Sequence, residues 1–305
     1  MIEIRLKTSK ENVESPGYLY RLADDLVWFD QPIPYLAPFF LRELTHKNTD
    51  APLPEIPMQT LPAIYKGPGW IANEWREVHC QPGEHGYILS VAGAGRFRIS
   101  SDGASVALIY REDNAQDNTI IESALGPALI LSLAIRGVWC LHASAALYGD
   151  QLLLFSGESG DGKSTLARRL GTRPEWRRVA DDILPIARSG DNLYALPAFP
   201  QLKISPENQP SLGLAPRLKI HTIYFLKKLI QSSSPAQSRR LSPLDAALML
   251  SRHTVAARLF DKALLKIHLD FCSWVAENHL IKQLDYPHSE EGLEDAIKIL
   301  EERLM

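Results

Sequence analysis

At 305 residues with 45% hydrophobic content, the chain has an ordinary globular composition but exceeds the roughly 250 residues at which a single core usually stops growing, so two domains are expected. A formal net charge of -3 argues neither for a basic nucleic-acid-binding stripe nor for a polyacidic tail, so nucleic acid is not an expected partner. The cysteines Cys80, Cys140 and Cys272 are odd in number and far apart, which excludes a disulfide framework and a CxxC metal site and fits a reducing, cytoplasmic setting.

Residues 1–8 alternate apolar and polar side chains and lack the basic start and apolar core of a signal peptide. Short strands are expected within 1–45, with 24–29 among them. Pro52, Pro54, Pro57 and Pro62 make 46–62 an irregular connection. His79, Cys80 and His85 have no fourth partner nearby and are expected in a solvated loop rather than around a metal. Alternation returns at 87–91, 96–100 and 105–109, and Asp102-Gly103 between the last two reads as a hairpin turn. Gly93-Ala94-Gly95 lacks the third glycine and the following helix of a dinucleotide fold, so a bend between strands is expected.

Residues 119–137 have helical spacing, with Ile120, Ile121, Leu125, Leu129 and Leu133 on or near one face and Gly137 placed as a C-terminal cap. The most apolar stretch, 124–138, is too short to cross a bilayer and carries Pro127 and Arg136, so a buried helix is expected and no membrane partner. The helix is taken as the entry to a second domain, 119–305, behind a β-rich N-terminal region, 1–118.

In that second domain, 139–147 and 151–155 read as buried strands joined by a tight turn at 148–150. Directly after them stands Gly157-x-x-x-x-Gly162-Lys163-Ser164, followed by a helix over 163–171, which is the phosphate-binding loop pattern in its required strand, loop and helix order. Glycines let backbone N–H groups turn inward on phosphate oxygens, the lysine reaches the terminal phosphates, and the hydroxyl holds Mg²⁺. Gly157, Glu158, Ser159, Gly160, Asp161, Gly162, Lys163, Ser164 and Thr165 are therefore the candidate nucleotide-binding residues. The next strand, 176–186, carries the adjacent acids Asp181 and Asp182, whose side chains aim to opposite faces and can take different tasks.

A strand is expected at 221–226, a flexible polar loop at 231–238, a helix opened by Ser242, Pro243 and Asp245, a longer helix at 255–277, a strand at 280–286 and a terminal helix over 290–304 begun by Ser289. Phosphoryl transfer needs a phosphate clamp, a metal and a group that orients or deprotonates the acceptor. Lys163 and the loop amides supply the first, Ser164 with one aspartate the second, and the other aspartate the third. His142, on the strand preceding the loop's strand, is placed to return beside the phosphates.

Leu141-His142-Ala-Ser-Ala, the glycine loop through Ala167, and Val179-Ala-Asp181-Asp182, in that order, resemble the ATP-binding core of the HPr serine kinase/phosphorylase family. A looser likeness to that family's stand-alone relatives, often encoded with modified-peptide pathways such as lasso peptides, extends through 87–204 and includes Pro197-x-x-Pro200-Gln-Leu-Lys203. The resemblance implies an α/β fold with a P-loop kinase core, ATP and Mg²⁺ as cofactors, Lys163 on the β- and γ-phosphates and Ser164 on Mg²⁺. It further implies Asp181 as base toward an acceptor serine, Asp182 near the metal and His142 near the transferred phosphate. The chain lacks the family's glycine-rich signature beyond the aspartates, which is tied to the reverse phosphorolysis, and its N-terminal portion is unlike the bacterial regulator's; together these imply a kinase whose acceptor is not HPr. A serine on a peptide or small protein is the expected acceptor, with a small-molecule hydroxyl or an ATP-binding switch without phosphoacceptor as alternatives. A homo-oligomer stays open. Lys203, Arg217, Lys219, Lys227 and Lys228 follow strands and are either solvated surface or gathered at the active-site edge of the sheet, where Lys203 would be catalytic, stabilising the transferring phosphate, and the others would hold an acidic peptide.

Overall fold

The computed structural model describes residues 3–7, 17–29, 31–44, 62–211, 213–229 and 235–304. The irregular connection expected over 46–62 lies outside them except for Pro62, as does the 231–234 part of the polar loop. The chain forms two compact units, Met1–Gly137 with Ile204–Glu207 and Ala256–Leu264, and Val138–Lys203 with Asn208–Val255 and Leu265–Met305.

In the first unit, β1 (Glu3–Lys7), β2 (Gly17–Leu22), β3 (Asp25–Phe29), β4 (Phe40–Leu44), β5 (Tyr65–Ile71), β6 (Glu74–Gly83), β7 (Gly86–Val91), β8 (Gly95–Ser100) and β9 (Ser105–Arg111) form one antiparallel sheet. Their order is β4-β2-β3-β1-β9-β8-β7-β6-β5. Strict alternation along β8 buries Gly95, Phe97 and Ile99 and turns the intervening residues outward. The Asp102-Gly103 hairpin forms as expected, and Gly103 has φ +68 with a Cβ position only 2.4 Å from the Ser132 carbonyl oxygen, so no larger residue fits.

The helical spacing at 119–137 yields α1 (Asp117–Ser123), a π-turn at Ala124–Ala128 and α2 (Leu129–Ile135). The break centres on Gly126, at φ -87 and ψ -110, next to Pro127, which has no N–H to donate. Ile120, Leu125, Leu129 and Leu133 are buried as the spacing requires. Asp117–Ile135 is long and apolar enough to cross a membrane by length and composition, but 67% of its apolar window is buried inside the protein, as the buried helix expected at 124–138 requires. The helix also belongs to the first unit rather than opening the second. The Ser132 hydroxyl donates to the Gly103 carbonyl at 2.7 Å and Arg136 pairs with Asp25 at 2.9 Å, so the middle of α2 is fastened to the β8–β9 turn and its C-terminal end to β3.

His79 and Cys80 lie on β6, not in a loop, because the strand's alternation carries through them and turns Val78 and Cys80 inward. Burial pushes the Cys80 thiol up to about 12. His85 sits exposed in the following turn. Among the described residues no group of three His, Cys, Asp or Glu is arranged to hold a metal.

The second unit contains β10 (Val138–Tyr148), β11 (Gln151–Ser156), α3 (Lys163–Leu170), β12 (Trp176–Ala180), β13 (Ile183–Ser189), β14 (Asn192–Ala195), β15 (Leu218–Leu229), β16 (Gln237–Arg240), α4 (Pro243–Arg252), α5 (Lys262–Asn278, which begins in the first unit), β17 (Leu280–Pro287) and α6 (Glu290–Glu302). The sheet order is β11-β10-β13-β14-β15-β17-β16, with β12 also on β10, and β11 pairs in parallel with β15 to close a ring of strands. Helices α3 and α6 cover this sheet where Leu166, Leu170, Ile297 and Leu300 meet Phe155, Tyr224, Leu226 and Leu284. Burying each such side chain contributes roughly 1.5–3 kcal/mol. Arg173 joins the two helices by bonding Glu294 and Glu301. Ser242 caps α4 as expected, accepting from the Asp245 N–H at 3.1 Å. The long helix expected at 255–277 starts only at Lys262, because Ala256 adopts left-handed backbone (φ 62) and a short 3₁₀ turn intervenes.

On α5, His268 is fully buried, with its ring 4.8 Å from Trp139 and Nε2 2.9 Å from the Thr254 hydroxyl. Burial disfavours the imidazolium and lowers its pKa to about 4. The unfolded chain therefore binds a proton here that the folded chain refuses between about pH 6.5 and 4. The stabilisation is complete above about pH 6.5 and is lost as pH falls through that window. Urea midpoints measured across it are expected to decline more steeply for the wild type than for His268→Gln; equal slopes would remove His268 as the source.

Candidate functional site

The chain leaves β11 at Ser156, makes the glycine loop, and enters α3 at Lys163. Gly157 has φ +148 with a Cβ position 2.8 Å from the Leu226 carbonyl oxygen, and Gly162 has φ +90 with one 2.2 Å from the Tyr286 hydroxyl, so both ends of the loop demand glycine. Asp161 braces the loop. Its Oδ2 accepts from the Glu158 N–H at 2.6 Å, and its carbonyl accepts from the Tyr286 hydroxyl at 2.6 Å. Ser159, Gly160 and Thr165 are exposed.

Lys163 is only 6% exposed. Its ammonium donates to the carbonyls of Gly157 and Glu158, both at 2.9 Å. Burial lowers its pKa, opposed by Asp161, Asp182 and Glu158. A held ammonium at the start of a helix, whose N-terminus carries partial positive charge, is an arrangement suited to an anion.

Asp181 and Asp182 occupy the bend between β12 and β13 rather than the end of a single strand. Gln201 clamps that bend, its Oε1 accepting from the N–H groups of Asp181 (3.1 Å), Asp182 (2.9 Å) and Ile183 (3.3 Å). Its Nε2 donates to the carbonyls of Ile183 (2.7 Å) and Phe199 (3.2 Å). Gln209 bonds both the N–H and the carbonyl of Gln201, at 2.9 and 3.1 Å. Sequence reasoning assigned neither glutamine a role; the only signal was the position of Gln201 within Pro200-Gln201-Leu202-Lys203.

The Asp182 carboxylate lies 3.0 Å from the Lys203 ammonium and 3.3 Å from His142 Nε2. Burial raises its pKa, but the hydrogen bond from His142 and the charge and hydrogen bond of Lys203 outweigh it and bring the group to about 2. The Asp181 carbonyl accepts from the hydroxyls of Ser144 (2.7 Å) and Ser164 (3.1 Å). Its carboxylate Oδ1 is buried with no hydrogen-bond partner among the described residues. His142, Lys163, Ser164, Asp181, Asp182 and Lys203, which span more than sixty residues of sequence, are therefore brought together.

Two further residues reach the glycine loop that the sequence did not single out. Arg252, the last residue of α4, pairs with Glu158 at 2.8 Å, and the buried His253 places Nε2 3.9 Å from the same oxygen. A short ladder holds them there, with the His142 N–H donating to the His253 carbonyl (2.9 Å) and the Val255 N–H to that of Cys140 (2.8 Å). Lys228 flanks Gly162 and lies 3.3 Å from His288, and Lys227 is exposed nearby on β15. Arg217 and Lys219 do not join them. They stand at the opposite end of β15, in a cleft of ≈ 910 Å³ shared with Gly149, Asp150 and His279, because β15 runs its full length between the two sheet edges.

Fold and site together define a mixed α/β unit with a lysine-bearing glycine loop facing a clamped pair of acids. Among solved structures, the HPr(Ser) kinase/phosphatase from Coxiella burnetii is similar to this chain at 14% identity and TM-score 0.30, over 54% of this chain and 96% of that one. No family model matches the sequence, and no curated protein matches it.

Gln201→Leu would leave three N–H groups of the acidic bend without their acceptor. A loss of about 1–3 kcal/mol is expected in urea unfolding, together with faster amide exchange at 181–183. Wild-type stability and exchange in Gln201→Leu would show that the clamp does not hold the bend.

Proposed function

We propose that this chain is an ATP-dependent phosphotransferase that phosphorylates a serine hydroxyl on a peptide or small protein. The observation that carries the reading is the buried Lys163 ammonium, held in the glycine loop, with Ser164, Asp181, Asp182, Lys203 and His142 gathered beside it. The order histidine, glycine loop and Ala-Asp-Asp, which resembles the HPr serine kinase/phosphorylase family, supports the same chemistry.

The residues fit the groups that such chemistry requires. The buried, unpartnered Asp181 Oδ1, the Ser164 hydroxyl and the Asp182 carboxylate are hard oxygen donors of the kind Mg²⁺ takes. Ser164 and Asp182 would hold the ion, which would neutralise charge between the phosphates. The loop amides and Lys163 bind the β- and γ-phosphates of ATP. Lys203 sets a second positive charge at the transferring group, and His142 orients Asp182 toward the same place. Asp181 takes the proton of the acceptor hydroxyl. A new bond forms between the serine oxygen and the terminal phosphorus as the bond to the bridging oxygen breaks, and that electron pair leaves with ADP.

Incubation with γ-labelled ATP, Mg²⁺ and a cell extract, followed by phosphoamino-acid analysis, tests the reading. Labelled phosphoserine is expected in a peptide or protein fraction. Label confined to small molecules would move the acceptor to that class, and ATP binding with no transfer would leave a switch. Lys163→Ala is expected to lose ~10²-fold or more in transfer with an unchanged circular dichroism spectrum. Asp181→Asn is expected to abolish transfer while keeping MgATP affinity; retained turnover in that variant would free Asp181 from the base role.

A further inference from the structure

The contact between Arg252 and Glu158 joins a helix end to the glycine loop without burying either partner. The side chains are 66% and 56% exposed, and an exposed pair of this kind contributes little to stability. The backbone around it is fixed. Hydrogen bonds between 253–255 and 140–142 fasten the end of α4 to the strand that carries His142, and the carboxylate it meets belongs to the loop that holds Lys163. Beside them His253 is buried, its Nε2 having no hydrogen-bond partner among the described residues. A fixed helix end thus presents a guanidinium to the glycine loop, with the buried His253 imidazole beside it.

A guanidinium offers paired N–H donors in a planar fork that matches a carboxylate and a phosphate alike. Glu158 presents such a two-oxygen anion at the loop, and a terminal phosphate carries more charge and more acceptor oxygens. The exchange of one for the other requires only side-chain rotation, since both groups are solvent-exposed and long.

Resting on the phosphate-loop reading above, we propose that Arg252 contacts the terminal phosphate of bound ATP, supplied from α4 within the same chain, and that Glu158 holds the guanidinium at the loop until nucleotide displaces it. Arg252 is then the residue that tells ATP from ADP. Lys163 and the loop amides bind both nucleotides through the β-phosphate, and only the γ-phosphate reaches α4. Lysine at the same position would keep the charge but lose the fork.

Calorimetric titration of the full chain with MgATP and with MgADP tests this. The wild type is expected to bind ATP more tightly than ADP. Arg252→Ala should lose about tenfold in ATP affinity while ADP affinity stays within twofold of wild type, consistent with removal of one charge-assisted contact. Arg252→Lys should fall between. Equal losses for ATP and ADP in Arg252→Ala would make the residue structural and overturn the proposal, as would ATP affinity unchanged from wild type. If the wild type binds neither nucleotide, the phosphate-loop reading itself falls and this assignment falls with it.

Discussion

A single oxygen atom, the backbone carbonyl of Asp181, accepts hydrogen bonds from two serine hydroxyls that belong to different elements, Ser144 on β10 at 2.7 Å and Ser164 on α3 at 3.1 Å. That atom ties the acidic bend to the strand carrying His142 and to the first turn of the helix carrying Lys163. A shift of the bend would break bonds on both sides at once, so the two acids, the lysine and the histidine are held in one mutual geometry. Gln201 closes the third side by satisfying the N–H groups of the same bend. Preorganisation of this kind lets charged groups act without reorganising at the moment of reaction.

The surrounding packing explains why the bend can be held so closely. Strand β11 lies between β10 and β15, its residues 152–155 at most 1% exposed, and α3 is pressed onto that face by Leu166 and Leu170 against the same core that receives α6. The loop between β11 and α3 has therefore almost no freedom at its ends. Glycine at 157 and 162 follows from that crowding, since the Leu226 carbonyl and the Tyr286 hydroxyl occupy the space a side chain would need. The glycines are thus required twice, by backbone conformation and by close approach.

Charge balance in the site is set by proximity more than by exposure. Asp182 is partly buried, which by itself would raise its pKa, yet His142 and Lys203 keep it anionic at about 2. Lys163 is displaced in its own unfavourable direction by burial, and the acids around it oppose the change. The site consequently holds cationic and anionic side chains together, and Asp181 Oδ1 is buried with no hydrogen-bond partner among the described residues. A buried polar atom without a partner is costly, and it is stored here where the chemistry is expected.

The sequence alone determined the local features whose causes are local. The glycine and lysine spacing of 157–164, the Asp102-Gly103 hairpin, the Ser242 and Ser289 caps and the apolar face of 119–137 are written in short-range sterics and hydrogen bonding, and each stands where the residues put it. Tertiary structure decided whatever depends on partners distant in the chain. Cys80 is interior because a long strand continues through it, and the helix expected from 255 waits until 262 because Ala256 turns into left-handed backbone first. The 119–137 helix belongs to the first unit because Gly103 and Asp25 fasten it there. Gln201 reaches the acidic bend from twenty residues on, and Arg252 reaches the loop because the end of α4 bonds to β10 across more than a hundred residues. Arg217 and Lys219 are carried to the far edge because a twelve-residue strand separates them from Lys228. Residue type and spacing fix what a side chain can do, whereas which others it meets depends on strand order and register, and a single sequence encodes these only through the sum of its packing.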